Sequence, residues 1–190
     1  MVHGSASSRY SSDFLSIPGV TFDVNIADPA ERIRSYLNTY RKTSADGTFP
    51  KGFDDELMRE KLEVVSAESS RDKTAAVFLL RAGQSLCNRL GNIHGGAIAL
   101  IFDMCTTMSA APLARKGFWE FGGVSRNISV TYLRPAKADR DILVECEVLS
   151  MGKRFVTIRG QMRDKESGVL LSVAEHSKAS VEFEAADPRI

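Results

Sequence analysis

Residues 95–114 read GGAIALIFDMCTTMSAAPLA, an apolar run interrupted by Asp103 near its middle and Pro112 near its end. Its length is about the ~20 residues that cross a bilayer. A carboxylate at mid-span and a late proline make a helix buried in protein the better reading, and no membrane span is expected. The helix is expected from Gly95 to about Arg115, with a stop at Lys116-Gly117. Being apolar nearly all round, it has no solvated face of ordinary width, so other structure must wrap it on most sides.

The wrapping material lies on both sides of the run. Upstream, residues 62–67 and 74–81 read as strands separated by a polar stretch. Downstream, residues 124–133 precede Pro135; Ile142, Val144, Cys146 and Val148 alternate; Val156, Ile158 and Met162 alternate again; Val169, Leu171 and Val173 begin a last strand. The joints at 150–153 and 165–168 read as hairpin turns. The expected order is strand, strand, buried helix, then four strands in a meander. Short connections favour antiparallel neighbours, so the fold class is α+β, one antiparallel sheet curled round one helix.

Further upstream, Asp28-Pro29-Ala30-Glu31 carries an N-cap aspartate, a proline at the first helical position and a glutamate three residues after the cap. Ile33, Tyr36, Leu37 and Tyr40 then form one apolar stripe, which predicts a helix packed on the main domain. Residues 54–60 add one helical turn. Residues 1–27 carry many small and polar residues without sustained periodicity and are expected to be flexible.

The 25 basic and 24 acidic residues leave a net charge of +1, without the basic excess a nucleic-acid binder usually shows. Cys87, Cys105 and Cys146 are an odd number without C-x-x-C spacing, which reads as reduced thiols inside the cell. A cytoplasmic setting is expected; the serines and Arg9 near the N-terminus leave mitochondrial import as the alternative. The three histidines, His3, His94 and His176, are scattered, so neither a metal nor another cofactor is expected.

Chemistry gathers in two places. The loop 88–96, NRLGNIHGG, opens the buried helix, and its glycines let a ligand approach the unpaired N–H groups of the helix start. That arrangement stabilises a carbonyl oxygen as it gains charge, although His-Gly-Gly also simply makes a tight loop. Asp103 is a carboxylate in apolar company, which costs several kcal/mol unless it is paired or performs a task such as general base. The plain alternative is an aspartate capped by Thr106 or Thr107. His94 and Asp103 stand ~13 Å apart along one helix, so within one subunit they cannot share a substrate atom. If both act, a dimer is obligatory.

The ordered set Asn88-x-x-Gly91-x-x-His94-Gly95-Gly96, Asp103, Gly123-Val-Ser125, Thr131-Tyr132 and Pro135-Ala-Lys137 closely resembles hotdog-fold acyl-CoA thioesterases of the PaaI-like type, in particular their small mammalian members. The resemblance covers roughly residues 62–178. Together with the readings of the residues above, the expected layout is a 1–27 extension, a 28–60 helical extension, a hotdog domain over 61–184 and a tail over 185–190. The resemblance also implies roles. Gly95 N–H and the Asn88 amide would hold the thioester carbonyl, with His94 orienting Asn88. Asp103 of the neighbouring subunit would activate water or attack directly, and Ser125 would place the water or the acyl group. Tyr132 and the hairpin Met151, Gly152, Lys153 and Arg154 would meet coenzyme A, which is part of the substrate. The expected partners are an acyl-CoA or acyl-carrier thioester and a second copy of the chain, in a homodimer doubled into a homotetramer.

Three other readings compete. A hotdog hydratase would set a histidine about five residues from its acid, and here none follows Asp103 until His176, which reads as a packing or surface residue. A non-catalytic acyl-CoA-binding protein would have lost the base. A third keeps the chemistry and moves the acyl or polyketide chain onto an acyl carrier protein. Cys87 reads as a small filler, and Phe118 and Trp119 line either an acyl channel or a subunit contact.

Overall fold

The computed structural model describes residues 19–45, 47, 52–71 and 73–181. Most of the expected N-terminal extension and the whole 185–190 tail lie outside the described residues.

Helix α1 (Pro29–Ala45) starts where its cap predicts, with the Asp28 carboxylate accepting the Glu31 N–H at 2.8 Å. Ile33 and Leu37 are fully buried, and Tyr36 and Tyr40 pack beside them against the main core. Arg32, from the same helix, is buried and donates to the carbonyls of Val24, Ile26, Ala111, Pro112 and Ala114. A single π-helical turn, Leu57–Lys61, leads into the sheet.

Strands β1 (Leu62–Ser69) and β2 (Thr74–Arg81) precede helix α2 (Gly95–Ser109); β3 (Val124–Tyr132), β4 (Asp141–Met151), β5 (Phe155–Asp164) and β6 (Leu170–Ala179) follow it. They form one six-stranded antiparallel sheet in the order β1-β2-β4-β5-β6-β3. The expected four-strand meander is therefore corrected. Only β4, β5 and β6 follow one another, while β3 lies at the far edge beside β6. The link 133–140 is not a hairpin: Leu133 and Arg134 bond to Leu171 beyond the end of β3, and Pro135 cannot donate to a ladder. The chain then crosses the sheet end to place β4 beside β2.

The sheet wraps α2. Ile98, Ile101, Phe102, Cys105 and Met108 are buried in its concave face, each large apolar side chain contributing ~1.5–3 kcal/mol. Gly160 of β5 makes the approach close, since a Cβ there would stand 2.6 Å from the Phe102 ring. Two expectations about the helix need correction. It ends at Ser109, giving way to a 3-10 turn over Ala111–Leu113, because Pro112 has no N–H to continue the ladder. It is also not enclosed all round, for Gly96, Ala97, Leu100, Asp103, Met104 and Thr107 form a stripe that the sheet leaves half-buried or exposed. The stretch Gly95–Leu113 is long and apolar enough to cross a membrane, and half of it is buried inside this fold.

Candidate active site

At the start of α2, His94 is the N-cap, its Nδ1 accepting the Gly96 N–H at 3.0 Å. Its own N–H donates to the Leu86 carbonyl, which ties the helix start to the preceding loop. Asn88 closes that loop as an Asx turn, its side-chain oxygen accepting from the N–H groups of Leu90 at 2.9 Å and Asn92 at 3.3 Å, with Gly91 at φ +76°. Among the described residues neither the Asn88 amide nitrogen nor the Gly95 N–H has a hydrogen-bond partner, and no bond joins His94 to Asn88. Tyr132 covers the same corner. Its hydroxyl donates to the Gly95 carbonyl at 2.9 Å, and a Cβ on Gly95 would stand 3.4 Å from its ring. A cavity of about 440 Å³ opens beside them, lined by Phe53, Leu57, Cys87, His94, Gly96 and Leu100. Burial raises the Cys87 thiol, so it is a poor nucleophile.

Two turns further along α2, Asp103 is the centre of a second cluster. Its side chain is 37% exposed, which corrects the expectation of a carboxylate sunk in apolar core. The Thr106 and Thr107 hydroxyls do not cap it; they donate to the backbone carbonyls of Phe102 and Asp103. Its partners come from the sheet. Ser125 Oγ donates to Asp103 Oδ1 at 2.9 Å, and Lys178 Nζ lies 3.9 Å from that oxygen. Lys178 Nζ also donates to Thr107 Oγ1 at 2.8 Å and to Ser125 Oγ at 3.3 Å. Burial pulls the Lys178 ammonium below the ordinary lysine value, and the Asp103 carboxylate opposes that pull.

His176 completes the cluster from behind, fully buried, with Nε2 3.6 Å from Asp103 Oδ1 and Nδ1 2.6 Å from Thr106 Oγ1. The single Thr106 proton already goes to the Phe102 carbonyl at 2.6 Å, so Nδ1 is the donor and Nε2 carries the lone pair. Nε2 is buried without a hydrogen-bond partner among the described residues. Burial first, and the Lys178 charge second, push His176 down to about 4 against the opposing pull of Asp103, so the ring is neutral at physiological pH.

The residues singled out from sequence thus fall into two groups within one chain. Asn88, His94, Gly95 and Tyr132 stand at the helix start; Asp103 and Ser125 stand eight residues, or ~12 Å, along it. The hairpin Met151, Gly152, Lys153 and Arg154 belongs with the second group. Phe155 pairs with Ala179 and Val124 with Ala179, so the hairpin meets the Ser125 end of β3. Tyr132 ends the same strand seven residues away, ~23 Å at strand rise. Lys153 and Arg154 therefore stand at the far end of β3 from Arg134 within one chain, and Arg140 is held by Asp164 and Glu166. Trp119 is buried against the hairpin, donating Nε1–H to the Gly152 carbonyl at 2.8 Å. The larger depression of about 540 Å³, lined by Glu68, Lys73, Glu145 and Arg159, lies across β1, β2, β4 and β5, apart from both groups.

Sequence reading missed His176 and Lys178 as members of the cluster. The signal lay in strand parity: Ser172, Ala174, His176 and Lys178 are all buried, so both titratable groups lie on the β6 face turned toward α2.

The model of the Thioesterase superfamily matches residues 90–171, from the loop before α2 into β6. Fold and matched segment point to one class: the fold is that of solved hotdog-fold thioesterase structures, and residues 90–171 are similar to the Thioesterase superfamily. Mouse acyl-coenzyme A thioesterase 13 is 29% identical over 127 residues, spanning 67% of this chain and 84% of the mouse protein. The crystal structure of zebrafish thioesterase superfamily member 2 aligns at 29% identity with a TM-score of 0.61, over 75% of this chain and 96% of that one. A hypothetical thioesterase protein from Streptococcus pneumoniae, solved with coenzyme A, shares the fold at 22% identity and a TM-score of 0.53, over 66% and 93% of the two chains.

Proposed function

We propose that the chain hydrolyses acyl-CoA thioesters at a site shared between two protomers, the helix start of one and the Asp103 cluster of the other. The observation that carries this reading is the ~12 Å along α2 from the unpartnered Gly95 N–H, at the end where the free Asn88 amide also lies, to Asp103. Strand β3 supports the pairing. It is an edge strand, mostly exposed, with one side unpaired. An antiparallel two-fold about its middle residue, Ile128, would bring the Tyr132 end of one copy to the Ser125 end of the other. The half-exposed stripe of α2 that carries Asp103 would then face the partner.

In this reading Asp103 takes a proton from water as the oxygen adds to the thioester carbonyl carbon. The carbonyl oxygen, now carrying the charge, is held by Gly95 N–H and the Asn88 amide. The tetrahedral intermediate collapses with breakage of the C–S bond, the thiolate of coenzyme A leaves, and the proton on Asp103 goes to that sulfur. His94 holds the helix start in shape through Gly96. The cavity beside Phe53, Leu57 and Leu100 would take the acyl chain, and Lys153 and Arg154 of the partner would meet the nucleotide phosphates. The free thiols Cys105 and Cys146, both buried, suit the cytoplasmic setting proposed from sequence.

Hydration of an enoyl thioester deserves comparison, because His176 stands beside Asp103 in space although not in sequence. That histidine is fully buried behind the carboxylate with one nitrogen held by Thr106, so it cannot reach a substrate carbon.

The test is turnover of a panel of acyl-CoA and acyl-carrier thioesters by wild type, Asp103→Asn, Asn88→Ala and mixed dimers of the two variants. Asp103→Asn is expected to lower kcat by ~10²–10⁴-fold with KM little changed. Mixed dimers should regain activity, since one of their two composite sites is intact. Heterodimers that form and stay inactive would overturn the shared site.

A further inference from the structure

Lys178 stands out because a lysine is almost never fully buried unless paired, yet it is 3% exposed on a strand whose neighbours at that level are hydroxyls and one carboxylate. Its ammonium has three protons. One goes to Thr107 Oγ1 at 2.8 Å, one to Ser125 Oγ at 3.3 Å, and the third side faces Asp103 Oδ1 at 3.9 Å. The Thr107 hydroxyl in turn spends its proton on the Asp103 backbone carbonyl at 2.7 Å, so it can only accept from the lysine. The Ser125 hydroxyl accepts from the lysine and donates to Asp103 Oδ1 at 2.9 Å. Every proton in the chain Lys178, Ser125, Asp103 has one direction.

We propose that Lys178 is a positioning residue for hydrolysis, fixing the Ser125 proton on Asp103 Oδ1 so that Oδ2 is the oxygen left to take the proton of water. This rests on the reading of Asp103 as the base. It reassigns Ser125, which the family resemblance gives to placing the water or the acyl group, to holding the carboxylate. The groups facing the carboxylate are Ser125 from β3 and His176 and Lys178 from β6, while Thr106 and Thr107 of its own helix donate to the Asp103 backbone carbonyl. Among them Lys178 supplies the ammonium, whose charge burial opposes and the Asp103 carboxylate favours, and His176 is neutral in the working range.

The experiment is the pH profile of kcat for wild type, Lys178→Met and Lys178→Arg, on dimers whose circular dichroism and mass match wild type. Methionine keeps the methylene length and removes the charge and the donors. A lost positive charge beside a carboxylate favours its protonated form, so the acid limb of the profile should move to higher pH. Turnover at pH 7 should fall by ~10-fold or more while KM for acyl-CoA changes less than about twofold. Arginine should restore the acid limb to its wild-type position. Folded Lys178→Met with wild-type kcat and an unmoved acid limb would overturn the proposal, as a lysine with only a packing role predicts. Should Lys178→Met not fold, Thr107→Val removes the acceptor that anchors the ammonium and leaves the charge in place; a fall of a few-fold in kcat supports the proposal, and wild-type kcat overturns it. Asp103→Asn in the same series separates the two levels. An active Asp103→Asn sinks the base itself, whereas an inactive Asp103→Asn with an indifferent Lys178→Met sinks only the role of the lysine.

Discussion

The two ends of helix α2 are finished in opposite ways. At its C-terminal end, Arg32 reaches in from α1 and collects the carbonyls of Ala111, Pro112 and Ala114 together with those of Val24 and Ile26. At its N-terminal end the chain supplies only His94 as a cap, and Gly95 N–H stays without a partner among the described residues. One end is closed for stability by a distant segment; the other is left open where charge can be received. A helix needs its orphan groups satisfied, so an end left open in a packed protein marks the place where chemistry is expected.

That contrast is broken most severely at the closed end. Arg32→Met should strip the donor from several buried carbonyls and lower unfolding free energy by ~3 kcal/mol or more, read by urea denaturation. Turnover per folded molecule should stay within about twofold. The open end should respond in reverse: Asn88→Ala is expected to cut kcat by ~10²-fold, as loss of one oxyanion donor does, with a denaturation midpoint close to wild type.

Between the ends, His176 gives the fold a pH dependence. Its pKa falls from 6.5 when unfolded to about 4 when folded, so the unfolded chain binds the extra proton. The stability held by the neutral ring is therefore full above about 6.5 and is lost as pH falls toward 4. Urea midpoints should decline through that window, and the decline should flatten in His176→Gln. The smallest effect is expected at the hairpin. Neutralising Lys153 and Arg154 should raise KM for acyl-CoA a few-fold with kcat unchanged, and should leave KM for an acyl-pantetheine without the nucleotide as it was.

Periodicity made much of this legible. The apolar run 95–114 demanded a wrapping sheet, and the alternation in β4 and β5 was enough to name its inner face, as burial of Ile142, Val144, Val156 and Ile158 shows. Strand order was not legible, because the link 133–140 carries the same turn residues whether it makes a hairpin or crosses a sheet end. Asp103 and Ser125 were legible through an ordered motif, and the structure joins them at 2.9 Å. Lys178 and His176 were not, because polar residues in a last strand look like a solvated edge until pairing with β3 and β5 turns their side of β6 toward α2. The mutual remoteness of Tyr132 and the Lys153-Arg154 hairpin was hidden for the same reason: it follows from strand direction, which no local pattern encodes.

Trp119 is the only tryptophan in the chain, and it is held at φ +56° with its indole nitrogen bonded to the carbonyl of Gly152. A single indole fastened to the hairpin proposed for the nucleotide makes the molecule its own fluorimeter. Its emission reports on one place, without labels and without background from other tryptophans. A shift in wavelength or intensity on adding coenzyme A would follow occupancy at that hairpin directly, in real time and in enzyme that has lost the ability to turn over.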